Sequence, residues 1–183
     1  KAISSNPCKP FDATRDGITL GEGVGTLILT TNRELVNDTN PVIFRGGANS
    51  NDANHISGPS RTGDGLYFAI RNTLAESNKT NKNIDYLSAH GTATLYNDEM
   101  ESKAIALASL ESTPVNSLKG YWGHTLGAAG IIDATLSILT MIFYKLQIHK
   151  NPVQPVQQTP KTTATPVAHP QQMPQNATTK PKQ

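Results

Sequence analysis

Cysteine is nearly absent: Cys8 is the one thiol in 183 residues, so no disulfide can close within the chain, and a reducing, cytoplasmic setting is expected. No charged-then-apolar leader opens the sequence. Neither H-E-x-x-H nor C-x-x-C occurs, and His55 does not sit at metal-ligand spacing, so no metal site is expected. The most apolar run, 131–144, is too short for a bilayer and contains Asp133, which predicts a buried helix and not a membrane span. An excess of one charge is missing too. The formal +2 arises from residues 151–183, which hold three lysines and no acid; the remainder carries 13 basic against 14 acidic side chains. Nucleic acid is therefore not an expected partner. The sequons at Asn37, Asn78 and Asn176 carry no expectation of glycosylation in such a setting.

Residues 1–150 have the composition of one globular α/β domain. A turn-rich opening leads into 23–31, whose apolar and β-branched density predicts a buried strand, and a second strand is expected at 41–48. Asp64 is placed to cap a helix with Leu66, Ala69, Ile70 and Leu74 on one face, stopping at 78–83. A strand at 84–89 follows, then a helix opening near Asp98 with Met100, Ala104, Leu107 and Ala108 at helical spacing. A short strand at 114–118 and a helix over 127–146 complete the order ββαβαβα. Strands alternating with helices predict a layered sandwich with a parallel sheet.

Residues 151–183 are different in kind, with seven prolines, seven glutamines and six threonines. Such a segment cannot bury enough apolar surface to offset its ordering entropy, so a disordered tail is expected. His149 and His169 fall at or beyond that change and are expected to be solvated.

Two motifs dominate the domain. Residues 87–98 read L-S-A-H-G-T-A-T-L-Y-N-D, and residues 119–130 read K-G-Y-W-G-H-T-L-G-A-A-G. Each sets a histidine after a strand-like stretch and before a helix-forming one, where an α/β fold exposes side chains at the carboxyl end of its sheet. Histidines so placed, His90 and His124, are predicted to share a face and to lie within roughly 10 Å, near enough for one small acyl group to touch both.

In these motifs, and over about residues 7–141, the chain resembles the C-terminal part of the β-ketoacyl-acyl-carrier-protein synthases, condensing enzymes of the thiolase-like fold. The resemblance implies a partial thiolase-like layered sandwich and decarboxylative Claisen condensation of malonyl-carrier with an acyl thioester, in fatty-acid or polyketide assembly. It implies catalytic roles for His90, His124 and Lys119, with Glu101 forming a buried ion pair with Lys119 and Asp98 holding loop geometry. Thr92 and Thr94 would hydrogen-bond the phosphopantetheine arm of the acyl carrier protein, although threonine suits helix entry equally well. No cofactor bound by the chain itself is implied; the carrier is the partner, and the family's complete enzymes suggest a homodimer. The family's nucleophilic cysteine belongs to an N-terminal half, and its closing strands lie downstream, so the sequence reads as incomplete at both ends.

Cys8 corresponds to a segment well after that nucleophile, and only Lys9 beside it could activate a thiol; a structural role is expected. Residues 21–25 (G-E-G-V-G) lack dinucleotide-loop spacing and precede their strand, so they are read as a close-packed strand entry. Residues 127–130 are read as packing positions. The alternative function is a non-catalytic synthase half that binds a synthase or an acyl carrier; the presence of both histidines and Lys119 argues against it.

Overall fold

The computed structural model describes residues 3–36, 41–55 and 58–144. Its regular elements are α1 (Asp64–Glu76), β1 (Leu87–Ser88), α2 (Leu95–Leu107), β2 (Val115–Asn116), α3 (Lys119–Trp122) and α4 (Ala129–Tyr144). The tail, and the expected helical residues 145 and 146, lie outside the described residues.

The two strands pair in parallel, Leu87 against Val115 and Ser88 against Asn116. The Leu87 N–H donates to the Pro114 carbonyl at 2.9 Å and that of Ala89 to Asn116 at 2.8 Å. Parallel neighbours need a crossover, and α2 supplies it. Helix α1 packs on α2 and α4 packs against β1, while Ser88 and Asn116 stay exposed. The N-terminal segment joins by parallel bridges, Ile3 with Ile18 and Leu20 with His124.

The parallel pairing agrees with expectation; the element order does not. Residues 23–31 and 41–48 form no strand, and Val24, Ile28, Leu29 and Phe44 are exposed, Val24 at 90%. β-branched density suits a strand only where a neighbour accepts its backbone bonds and covers its side chains. Among the described residues no strand lies alongside. Before α1 the described residues form only a 3-10 turn at Arg33–Leu35 and isolated bridges.

Helix α1 runs as its spacing predicts, with Leu66, Ala69, Ile70 and Leu74 half-buried, but its cap is Gly63; Asp64 is the first helical residue and accepts the Thr62 hydroxyl at 2.7 Å. Helix α2 starts earlier than Asp98 and turns a different face inward. Its buried residues are Asp98, Glu101, Ala104 and Ile105, while Leu107 is exposed. The spacing of three and four is helical, yet half the face is acidic, so apolar periodicity misplaces it. Helix α3 was not expected, and α4 begins two residues after the expected start. No described helix is long and apolar enough to cross a membrane.

Candidate active site

Helix α2 presents two carboxylates, three positions apart and on one face, to the loop that follows β1. Glu101 accepts the backbone N–H of His90 at 2.7 Å and of Gly91 at 2.8 Å, one on each oxygen. Asp98 accepts those of Thr92 at 3.0 Å and Ala93 at 3.1 Å on one oxygen and that of Phe11 at 2.8 Å on the other. Four successive N–H groups are thereby gathered onto two acids. The cost is visible in the titration: burial pushes both carboxyls above the usual carboxylate range, against the pull of these bonds. The Arg15 guanidinium stands 4.0 Å from Asp98 and offsets part of it.

Gathered in this way, the loop turns sharply. Gly91 has φ +40°, and a Cβ there would stand 2.5 Å from that of Ser117, so only glycine fits. The Ser117 hydroxyl donates to the Gly91 carbonyl at 2.8 Å, tying the loop to the end of β2. The imidazole of His90 is carried out at this turn, partly exposed.

His124 follows α3, two residues beyond its end, and bridges Leu20. Its N–H donates to Thr19 at 2.7 Å and its carbonyl accepts from Gly21 at 3.1 Å. Its Nδ1 accepts the backbone N–H of Leu126 at 2.9 Å, which leaves the proton of the neutral ring on Nε2. Leu126 reaches that position with φ +53°, a strained conformation for a bulky side chain that persists where surrounding structure enforces it. The rings of His90 and His124 meet edge to face, centroids 5.1 Å apart, inside the span expected from the sequence. Burial first, and then the Lys119 cation, hold both below the ordinary histidine value, so both are neutral donors at neutral pH.

Residues 42–149 match the family described as "Beta-ketoacyl synthase, C-terminal domain" and residues 1–34 match "Beta-ketoacyl synthase, N-terminal domain". The chain belongs to the β-ketoacyl synthase family. It is 35% identical over 140 residues to the mitochondrial 3-oxoacyl-[acyl-carrier-protein] synthase of Arabidopsis thaliana, covering 73% of this chain and 30% of that protein. The ishigamide ketosynthase/chain length factor superposes with a TM-score of 0.69 at 34% identity, over 76% of this chain and 35% of that one. A type II polyketide ketosynthase solved in complex with its acyl-carrier protein and bound to the hexaketide gives 0.51 at 33%, over 52% and 24%. The chain thus spans about a third of the length of the curated relatives it matches, and the seam between the two family domains falls within the segment read above as one unit.

Against the β-ketoacyl synthase reading, the ion pair needs correction. Lys119, 1% exposed, does not bond Glu101; its ammonium meets Asp133 of α4 at 2.8 Å. Each oxygen of Glu101 accepts one loop N–H, while the Lys119 ammonium bonds the Asp133 carboxylate. Sequence reasoning passed over Asp133 because its helix reads as apolar; a lone acid in such a helix was the available signal, since a buried charge requires a partner. Ser117 was missed as well and left no comparable trace.

Thr92 and Thr94 hold each other, hydroxyl to hydroxyl at 2.9 Å, and the Asn97 amide donates to Thr94 at 2.7 Å. Thr94 is the N-cap residue of α2, without a side-chain capping bond. Cys8 is buried, its thiol 3.2 Å from the Thr92 carbonyl. Among the described residues no group of histidine, cysteine and acid side chains could hold a metal ion.

Proposed function

We propose that the chain supplies the histidine half of a β-ketoacyl-acyl-carrier-protein synthase site, with the acyl group carried on a cysteine outside this sequence. The carrying observation is the paired imidazoles, with Nδ1 of His124 engaged by the Leu126 N–H. A neutral ring so held aims an Nε2–H donor, the group that stabilises developing negative charge on an oxygen. The C–C bond to the malonyl carboxylate breaks and carbon dioxide leaves. The bonding pair stays as a thioester enolate whose oxygen takes hydrogen bonds from His90 and His124. The enolate carbon then attacks the acyl thioester, forming the new C–C bond and expelling the cysteine thiolate.

In this reading Glu101 and Asp98 fix the loop that aims His90, and Lys119 supplies a positive field beneath both rings. Thr92 and Thr94, adjacent to that loop, receive the phosphopantetheine arm, and the acyl carrier protein is the partner. A complete enzyme of this kind would pair as a homodimer. Compartment is not set by family membership, because relatives include mitochondrial and chloroplastic enzymes; the cytoplasmic setting rests on cysteine usage. The division into a synthase domain over 1–150 and a disordered tail over 151–183 rests on composition.

A second reading, a non-catalytic half that docks on a synthase, is favoured by the exposed apolar residues Val24, Ile28 and Leu29. The test is reconstitution. Residues 1–183 are co-expressed with the part of a 3-oxoacyl-acyl-carrier-protein synthase that bears the acyl-accepting cysteine, and assayed with acyl-carrier and malonyl-carrier. β-Ketoacyl product, retained in C8S, supports the proposal. An isolated complex that forms no product contradicts it, as would acylation of Cys8 in the chain alone.

A further inference from the structure

The strand pair beneath the site is two residues long on each side, and it ends on the bond from the Ala89 N–H to the Asn116 carbonyl at 2.8 Å. Beyond that bond one segment enters the loop of His90 and the other runs through α3 to His124. Ser117 is the next residue of the second segment. Its half-buried hydroxyl lies 2.8 Å from the Gly91 carbonyl and 3.3 Å from that of His90. A hydroxyl has one proton to give, so the shorter contact takes the bond and the His90 carbonyl shares it weakly. The N–H groups of the same two residues go to Glu101 of α2. The His90–Gly91 backbone is thus held by α2 through its donors and by Ser117 through its acceptors. A Cβ at Gly91 would stand 2.5 Å from the Ser117 Cβ and 2.8 Å from its Oγ, so the bare glycine is what lets the hydroxyl come this close.

We propose that Ser117 is a positioning residue: it latches the His90–Gly91 backbone to the segment leading to His124 and so holds the two imidazoles where both can donate to one enolate oxygen. The proposal rests on the histidine site described above and adds a residue to it. Two donors stabilise one oxygen only if they converge on it, and a misplacement of about 1 Å can cost about a hundredfold in rate. The rings meet with centroids 5.1 Å apart, yet they sit on different segments, and so short a ladder fixes little beyond its own register. Ser117 supplies a connection at the point where the ladder stops.

The imidazole pair is followed by NMR in the folded 1–183 chain, through the nuclear Overhauser contact between the two rings, beside hydrogen exchange of the His90 and Gly91 amides and the thermal midpoint. None of these needs turnover, so they answer whether or not the chain serves a synthase. S117A removes the hydroxyl and keeps the Cβ. It should weaken or abolish the ring-to-ring contact and speed exchange of the two amides by up to about tenfold, the scale of one hydrogen bond. A hydroxyl with a merely structural role would lower the thermal midpoint and leave the ring contact as in wild type, and that result overturns the proposal. S117C sets a weak donor at the same position and should fall between wild type and S117A. If S117A does not fold, S117C decides alone: a weakened ring contact supports the proposal and a wild-type one overturns it. In the reconstituted complex S117A should lower kcat for β-ketoacyl formation about ten- to a hundredfold, with KM for malonyl-carrier near wild type and the partner cysteine still acylated. An unchanged kcat, or a loss confined to KM, overturns the proposal. If wild type forms no product either, it is the reading of the histidine site that fails, and the ring contact in the chain alone decides whether Ser117 positions the rings.

Discussion

Asp98 is fully buried and accepts three backbone N–H groups, from Phe11, Thr92 and Ala93, two of which, Phe11 and Ala93, have positive φ. One side chain therefore holds two strained residues from segments far apart in sequence. D98A would orphan all three donors. At about 1 kcal/mol or more for each buried unsatisfied group, less what is regained by removing a buried charge, urea denaturation should show a loss of about 3 kcal/mol; a loss under about 1 kcal/mol would remove Asp98 from this role. The histidines make a separate prediction. Their folded pKa values lie below the ordinary 6.5, so the unfolded chain binds more protons just below that value. Their stabilisation is complete above pH 6.5 and is lost as pH falls through the lowered folded values. Asp98 and Glu101, shifted upward, slope the opposite way, so the histidine contribution is read by difference: H90N/H124N should lose less stability on acidification in that window than wild type does.

At the level of elements, the loop after β1 is where local sequence and tertiary contact agree most closely. Gly91 can be read as a turn from the sequence, while its reason, Ser117 at the end of β2, cannot, because pairing register is a tertiary fact. G91A should cost roughly 1–3 kcal/mol in left-handed strain and overlap and displace His90; an unchanged His90 imidazole NMR signal would contradict this. The existence of helices α1, α2 and α4 and of strands β1 and β2 was legible because periodicity is local, while the cap of α1 at Gly63 and the acidic inward face of α2 were not. The site histidines were legible because their motifs are contiguous. The partner of Lys119 was not, since choosing between Glu101 and Asp133 depends on where tertiary packing sets each acid relative to the ammonium. The strands at 23–31 and 41–48 were misread because a strand is defined by its neighbour.

Over the whole molecule the imbalance is between a small core and a large apolar surface. The buried apolar residues include four alanines, Cys8, Ile105 and Leu110, while Val24, Ile28, Leu29, Ile43 and Phe44 are among those exposed. A surface of that kind favours association, so V24S/I28S/L29S should lower the aggregation of the isolated chain in light scattering with little change in its unfolding midpoint; undiminished aggregation would place the sticky surface elsewhere. The central claim, that His90 and His124 serve one condensing site whose thiol lies on other residues, is tested most directly by rates in the reconstituted complex. H90A and H124A should each reduce β-ketoacyl formation by roughly 10²–10³-fold, the usual effect of removing an oxyanion donor, while the partner cysteine is still acylated. Product formed at the wild-type rate in both variants would contradict the account and leave the chain a docking subunit without chemistry of its own.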